Sequence, residues 1–564
     1  MTNTLEFDAI VVGSGITGGY AAMELCKKGL KVLMLDRGKH VEHKKDYVGE
    51  HQPPWAFTFR DEGDRKLFDS DYSVQKKCYA MKESTKQFFV NDRENPYTTD
   101  EDKPFYWLRG NQLGGRSLMW GRQCYRWSDL DFSANAKDGY GVDWPIRYKD
   151  IEPWYDYVES FVGVSGQAEG NPVLPDGKFL PPMQMNCVEE HFKSVLNEHY
   201  DDRTMTIGRV AVLTQKHNGR EPCHYCGPCE RGCSTGSYFS TQSATLPAAL
   251  ATGNLTVLTD SIAEKVLYDE ESNRASGVRV VDANTLGKTD YKAQVVFLCA
   301  STLGTTQLLL NSATERFPTG LGNSSGVLGK YLMDHLWVFG ARGKIEGFDH
   351  LYHQAHRPNG IYITRFKNVN SEEKQYLRGF AYQGAASRPT WRRALNTPGI
   401  GAEFKHALRQ PGSWEMRLAG FGEMLPYEDN YAELNHSVKD KWGLPTLKIN
   451  CTFHENELNM MKDMHLSAVD MLGKAKAKDI ELMGTPEAHP PGIGIHEMGT
   501  ARMGKDPRTS FLNGHNQSHE IPNLFVTDGS CMTSSALQNP SITYMALTAR
   551  ACDYAATKIQ RNEI

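Results

Sequence analysis

Four cysteines, Cys223, Cys226, Cys229 and Cys233, fall within eleven residues of a 564-residue chain at the spacing C-x2-C-x2-C-x3-C. One loop can present four thiolates at that spacing, and bends at Gly227-Pro228 and Gly232 help the sulfurs to converge on an iron–sulfur cluster. Zinc is an alternative, but its knuckles more often come as two C-x2-C pairs about a dozen residues apart, and no second pair occurs here. Plain buried thiols are a third reading. A cluster would act as a relay that passes electrons one at a time. The remaining eight cysteines (Cys26, Cys78, Cys124, Cys187, Cys299, Cys451, Cys531 and Cys552) lie scattered and read as buried thiols.

A second constellation stands at the amino terminus. Gly13, Gly15 and Gly18 form G-x-G-x-x-G between the apolar run Ala9 to Val12 and the amphipathic segment Tyr20 to Lys28. The apolar run Lys31 to Leu35 follows and closes on Asp36. Glycines in such a turn let backbone approach a pyrophosphate, the helix amino terminus faces the phosphates, and the acid can accept from ribose hydroxyls. The alternative is a chance Gly-rich turn. The fingerprint suits NAD and FAD alike. Near the carboxyl end, Asn523 to Val526 reads as a strand ending at Thr527, Asp528 and Gly529, suited to reach the middle of an extended dinucleotide.

These residues need a scaffold larger than one core, and 564 residues imply two or more lobes with a cleft between them. Further strand-like runs at Leu255 to Leu258, Gly277 to Val281 and Val295 to Cys299 predict a nucleotide domain assembled from distant pieces. Residues 37–105 are polar, aromatic and turn-rich, and read as cover over the cofactor. Between His335 and Met483 the pattern becomes half-exposed antiparallel strands, including Gly360 to Phe366, Trp414 to Gly422 and Thr446 to Phe453. The expected division is 1–340 and 485–564 for a discontinuous Rossmann-like α/β domain, with 341–484 inserted as an α+β substrate domain on an antiparallel sheet. Aromatics of that lobe (Tyr362, Phe366, Tyr382, Trp391, Trp414, Phe421) could stack on sugar faces or simply fill its core.

Composition excludes some partners. A net charge of −5 offers no field for nucleic acid, and 40% apolar with 23% charged residues is that of an ordinary globular protein. No apolar run is long enough to insert in a membrane, and Met1 leads into Phe7 to Val12 without room for a signal peptide, so none is expected.

Six motifs in order resemble the glucose-methanol-choline (GMC) oxidoreductases: the amino-terminal fingerprint, Gly110 to Ser117, Trp144-Pro145-Ile146, Leu332 to His335, His496 to Thr500, and Asp528-Gly529 through Asn539-Pro540. The resemblance covers nearly the whole chain and implies FAD rather than NAD, with Gly114, Gly115 and Ser117 joining Gly13, Gly15, Gly18, Asp36, Asp528 and Gly529 at the cofactor. It also implies that His496 is the general base and that its partner, His or Asn in the family, is Asn539. A base of imidazole type suits proton removal from an alcohol near neutral pH, and an Asn can orient the hydroxyl without competing for the proton. His335 matches a motif and reads as structural; His353, His356, His454, His465, His489, His515 and His519 have no motif support. Where covalently flavinylated members carry a His, this chain has Met119, so non-covalent FAD is expected. Arg116 departs from the small or apolar residue common at its position, with no evident effect.

Within the family, the cysteine run followed by Ser237-Tyr238-Phe239 is most similar to iron–sulfur sugar dehydrogenases, especially the large subunit of glucoside 3-dehydrogenase. In such members three ligands follow C-x5-C-x3-C, which maps to Cys223, Cys229 and Cys233 and leaves Cys226 as an extra thiol; three-iron and four-iron clusters both stay open. The resemblance implies oxidation of a secondary hydroxyl of a sugar or glycoside, at carbon 3, with electrons leaving FAD through the cluster to a cytochrome c or other acceptor. It further implies a small subunit that carries the chain to the periplasm, the cytoplasm being the alternative. Rival readings are an oxygen-dependent sugar or polyol oxidase and an electron-carrier flavoprotein with no organic substrate.

Overall fold

The apolar run at the amino terminus, Phe7–Val12, is buried except at Asp8 and lies inside a seven-stranded sheet of the computed structural model. The structure describes residues 6–352, 356–370, 372–373, 375–389, 393–394 and 397–564. The strand order is Leu255–Leu258, Val32–Leu35, Phe7–Val12, Lys288–Leu298, Arg274–Asp282 and Ser261–Asp269, with Leu524–Val526 also paired to Lys288–Leu298. Pairing is parallel around the nucleotide turn, with Val12 opposite both Leu35 and Leu298, and antiparallel in the outer hairpin Ser261–Asp269 and Arg274–Asp282. Strands buried on both faces must be apolar at every position, as Val32–Leu35 is, so helices flank them. Ile16–Lys27 and the carboxyl-terminal helix Ser541–Gln560 pack together, and both bury several alanines, among them Ala21, Ala22, Ala546 and Ala549.

A second, six-stranded sheet is antiparallel throughout: Lys478–Met483, Leu336–Ile345, Trp414–Gly422, Phe380–Ser387, Ile361–Ile363 and Met205–Ile207. In Trp414–Gly422 the residues Trp414, Met416 and Leu418 are buried while Glu415 and Arg417 are not, the period of two expected of a sheet with one covered face. The covered face meets the helix Glu455–Lys474 through Met460, Met464, Ala468 and Met471. The molecule thus has the α/β architecture expected, a Rossmann-like sheet plus an α+β lobe on an antiparallel sheet.

Details differ from the sequence reading. Thr446 to Phe453 does not join the six-stranded sheet; Pro445–Asn450 pairs with Tyr431–Lys439 and Thr98–Thr99 instead. Met205–Ile207, ahead of the expected lobe, supplies an edge strand. Tyr362, Phe366, Tyr382 and Trp414 are core residues, so the stacking role open to them falls away; Phe421 alone of the described set reaches the cavity, and Trp391 and His353 lie outside the described residues. Residues 37–105 carry short 3-10 turns and one helix, Arg65–Asp71, around a small core in which Tyr47, Phe68 and Phe88 are joined by Leu108, Leu118 and Ile493. Among the described residues no helix is long and apolar enough to cross a membrane.

Candidate active site

One cavity of about 670 Å³ runs from Gly13, Gly15 and Asp36 to His496 and Asn539. At its nucleotide end Gly13 has φ +96°, and a Cβ there would meet the Cys299 carbonyl oxygen at 2.4 Å. A Cβ on Gly18 would strike the Gly13 carbonyl oxygen at 1.8 Å, so this glycine closes the helix onto the turn rather than facing the cavity. Gly15 is different: a Cβ there meets nothing within 4 Å. It opens on the cavity at the amino end of Ile16–Lys27, where backbone N–H groups and the helix dipole favour a pyrophosphate.

Asp36 accepts from the Ser14 backbone N–H at 3.1 Å, from the Gly38 N–H at 2.7 Å, and from the Ser14 hydroxyl. Burial pushes its carboxyl up to about 6, with these hydrogen bonds opposing. Ser14 Oγ also accepts from the Gly114 N–H at 2.7 Å, which docks the second glycine loop onto the first. Gly114 lies behind the cavity wall, where a Cβ would meet Gln242, whereas Gly115 faces Gly15 across the gap. Ser117 lines the cavity and its Oγ accepts from the Thr241 N–H at 3.0 Å. Asp528 accepts from Thr305 and Ser530, and a Cβ on Gly529 would meet the Glu497 carbonyl oxygen at 2.4 Å. The cradle at Gly15, the acid at Asp36 and the length of the cavity fit an extended FAD.

His496 sits at the far end on a loop held by one carboxylate. Asp334 accepts from the backbone N–H groups of Gly492 at 2.7 Å, Gly494 at 3.0 Å and His496 at 3.0 Å. His496 Nδ1 lies 2.9 Å from His335 Nδ1, and His335 Nε2 lies 3.1 Å from the Ser535 carbonyl oxygen. His335, read from the sequence as structural, is therefore in direct contact with the candidate base. His496 is held well below the usual imidazole range, first by burial, then by the neighbouring His335 and Arg116. The Gln383 amide donates to Asn539 Oδ1, which leaves the Asn539 NH2 without a protein partner among the described residues. Arg116 donates to both carboxylate oxygens of Glu497, at 3.1 and 2.9 Å, and to Ser301 Oγ at 3.1 Å. Arg116, Gln383, Trp120, Trp337, Tyr79 and Phe421 all line the cavity. Trp337, Gln383 and Tyr79 carried no signal in the sequence, because each is brought there by a separate part of the fold.

The cysteine loop departs from expectation. Cys226 is exposed and Cys223, Cys229 and Cys233 are half-buried. Burial, with smaller contributions from neighbouring thiols, raises the pKa of Cys223 and Cys226, and burial with partial relief from Arg122 pushes Cys229 up to about 12. Yet among the described residues no three or more His, Cys, Asp or Glu side chains are grouped so as to hold a metal ion. The expected iron–sulfur site on Cys223, Cys226, Cys229 and Cys233 is thus not supported, and each thiol is held by its own local contacts. Tyr225 N–H donates to Cys223 Sγ at 3.3 Å, Cys233 Sγ pairs with Thr235 Oγ1 at 3.1 Å, and Arg231 anchors the loop to Asp61 at 2.7 Å.

Comparison with known proteins agrees with the geometry. GMC oxidoreductase family models match residues 7–337 and 426–548. The chain is 28% identical to the 2-methyl-1,2-propanediol dehydrogenase of Mycolicibacterium austroafricanum, over 99% of this chain and 96% of that protein. It is 24% identical to the fructose dehydrogenase large subunit of Gluconobacter japonicus, over 98% of each. A formate oxidase variant of Aspergillus oryzae RIB40 shares the fold, with TM-score 0.62, 15% identity and 100% coverage of both chains. A nucleotide cradle built of Gly13, Gly15 and Asp36, opening at its far end on an imidazole and an amide, thus stands in a chain that belongs to the GMC oxidoreductase family, as an FAD-dependent oxidoreductase acting on CH–OH donors.

Proposed function

We propose that the protein is a dehydrogenase that oxidises a secondary hydroxyl of a sugar or glycoside to a ketone and delivers the electrons to an external acceptor. The observation that carries this reading is that the Nε2 of His496 and the NH2 of Asn539, which line one cavity, have no protein partner among the described residues. Non-covalently bound FAD supplies the hydride acceptor. The residues that would hold it are Gly13, Gly15, Asp36, Gly115, Ser117, Asp528 and Gly529, with Gly18 and Gly114 shaping the walls. His496 takes the hydroxyl proton, and its depressed pKa keeps it neutral and competent at neutral pH. Asn539 donates to the substrate oxygen, with Gln383 holding its Oδ1, so the reacting carbon is oriented before proton transfer begins.

A polyol or sugar substrate is supported by likeness to a diol dehydrogenase and to a fructose dehydrogenase subunit, and by a cavity mixing Arg116, Gln383 and Asn539 with Trp120, Trp337 and Phe421. Carbon 3 as the site of oxidation, a small partner subunit and co-export to the periplasm rest on the resemblance of the segment Cys223 to Phe239. The test is to mix the protein anaerobically with glucose, fructose, gluconate and methyl glucosides and follow flavin bleaching, then add oxygen or a one-electron acceptor. Bleaching reversed faster by the acceptor is the expected result; fast reversal by oxygen with peroxide would make the protein an oxidase, and absence of bleaching would leave an electron carrier.

A further inference from the structure

The contact between the two imidazoles determines more than proximity. A backbone carbonyl can only accept, so the 3.1 Å contact with Ser535 places the proton of His335 on Nε2. The Nδ1 of a neutral His335 then carries a lone pair. The 2.9 Å contact between the two Nδ1 atoms is a hydrogen bond only if His496 donates, which puts the proton of His496 on its own Nδ1. Its Nε2 is left with a lone pair and no protein partner among the described residues.

We propose that His335 is a positioning residue that fixes the tautomer of His496, holding Nδ1 protonated and Nε2 free to take the substrate's hydroxyl proton. The inference rests on His496 being the base. His335 is fully buried, and that burial pushes its pKa down to about 4, so the ring is a neutral acceptor in the working range. During oxidation the substrate O–H bond would break as an Nε2–H bond forms on His496, and the carbon's hydride would leave to the FAD that the Gly13–Asp36 cradle would hold. The resulting imidazolium keeps its Nδ1–H on the His335 lone pair, now as a stronger, charge-assisted hydrogen bond. The division of labour follows that of a catalytic triad, where a third group orients the base, with a neutral imidazole in place of a carboxylate. Asp334, the preceding residue, holds the loop backbone while His335 holds the ring.

The experiment has a spectroscopic and a kinetic arm. Long-range nitrogen-15 correlation spectra of the histidine-labelled holoenzyme, with His496 assigned by its loss in His496→Gln, are expected to show Nδ1 protonated and Nε2 unprotonated; the opposite tautomer at His496 overturns the proposal. In anaerobic flavin reduction by whichever sugar of the panel bleaches the enzyme best, His335→Leu should lower the limiting rate about 100-fold, in the range of a mispositioned general base, with little change in half-saturating concentration. His335→Asn, whose amide oxygen takes the place of Nδ1, should recover at least about ten-fold of that loss. Flavin absorbance confirms that the variants retain FAD. Equal rates for both variants and the parent overturn the proposal while leaving His496 as base; undiminished bleaching in His496→Ala removes the base itself, a separate failure.

Discussion

Asp334 Oδ1 accepts a hydrogen bond from the backbone N–H of His496 at 3.0 Å, although the two residues belong to segments 162 positions apart. Its Oδ2 takes Gly492 and Gly494, so one buried carboxylate fixes the path of the loop that carries the base. Burial, with the nearby Glu497, pushes Asp334 up to about 6. Asp334→Asn replaces an acceptor oxygen by a donor and leaves a backbone N–H unpaired. The loop should shift, and flavin reduction should fall about 100-fold, the cost typical of a misplacement near 1 Å. Stopped-flow reduction of the FAD-loaded variant measures it; a rate within a factor of about three of the parent would refute the anchoring role.

The depressed pKa of His496 sets the acid limb of the pH profile. A base lowered below its ordinary value stays neutral to lower pH, so the reduction rate should remain level from pH 8 down through 6.5 and decline only below that. The groups responsible are the burial of the ring, His335 and Arg116. An inflection near 7 in the pH dependence of flavin reduction would contradict the placement.

The glycines of the nucleotide turn should separate by role. Gly15→Val adds a side chain to open space in the cradle, so the chain should fold yet lose FAD. Gly18→Ala drives a Cβ to within 1.8 Å of the Gly13 carbonyl oxygen, and should destabilise the protein itself by about 1 to 3 kcal/mol or more, as overpacking does. Flavin content and the urea midpoint, read together on both variants, distinguish the two outcomes.

Arg116 pairs with Glu497, whose side chain is 0% exposed against 30% for the arginine. Removing the cation in Arg116→Leu strands a buried carboxylate and should cost about 3 kcal/mol or more in denaturant unfolding. Arg116→Lys keeps the charge but not the fork and should fall between. Equal stability of all three proteins would show that the pair contributes nothing.

The thiols of the cysteine loop stand apart from the proton chemistry. Cys226→Ser and Cys229→Ser should leave flavin bleaching by a sugar within about two-fold of the parent, since hydride transfer to flavin requires no one-electron relay. A larger drop in the anaerobic rate would place the loop in the substrate half-reaction, through Arg122, which lines the cavity and is near enough to Cys229 to interact with it electrostatically.

Sequence by itself determined the local devices. The turn from Gly13 to Gly18, the flanking apolar strands and the acid at Asp36 depend on short-range sterics and on alternation of apolar residues, so their chemistry is written along the chain. The same holds for Trp414–Gly422, whose period of two reports which face is covered. Tertiary structure decided what meets at the active end. His335 and His496, Gln383 and Asn539, and Arg116 and Glu497 each join residues from different elements, 161, 156 and 381 positions apart. No periodicity encodes such pairings, because they follow from how two sheets and a cover segment dock, which is a property of packing over the whole molecule. The cysteine run shows the converse: spacing established that four thiols share a loop, but only the path of that loop, tied to Asp61 by Arg231, decided where each sulfur stands.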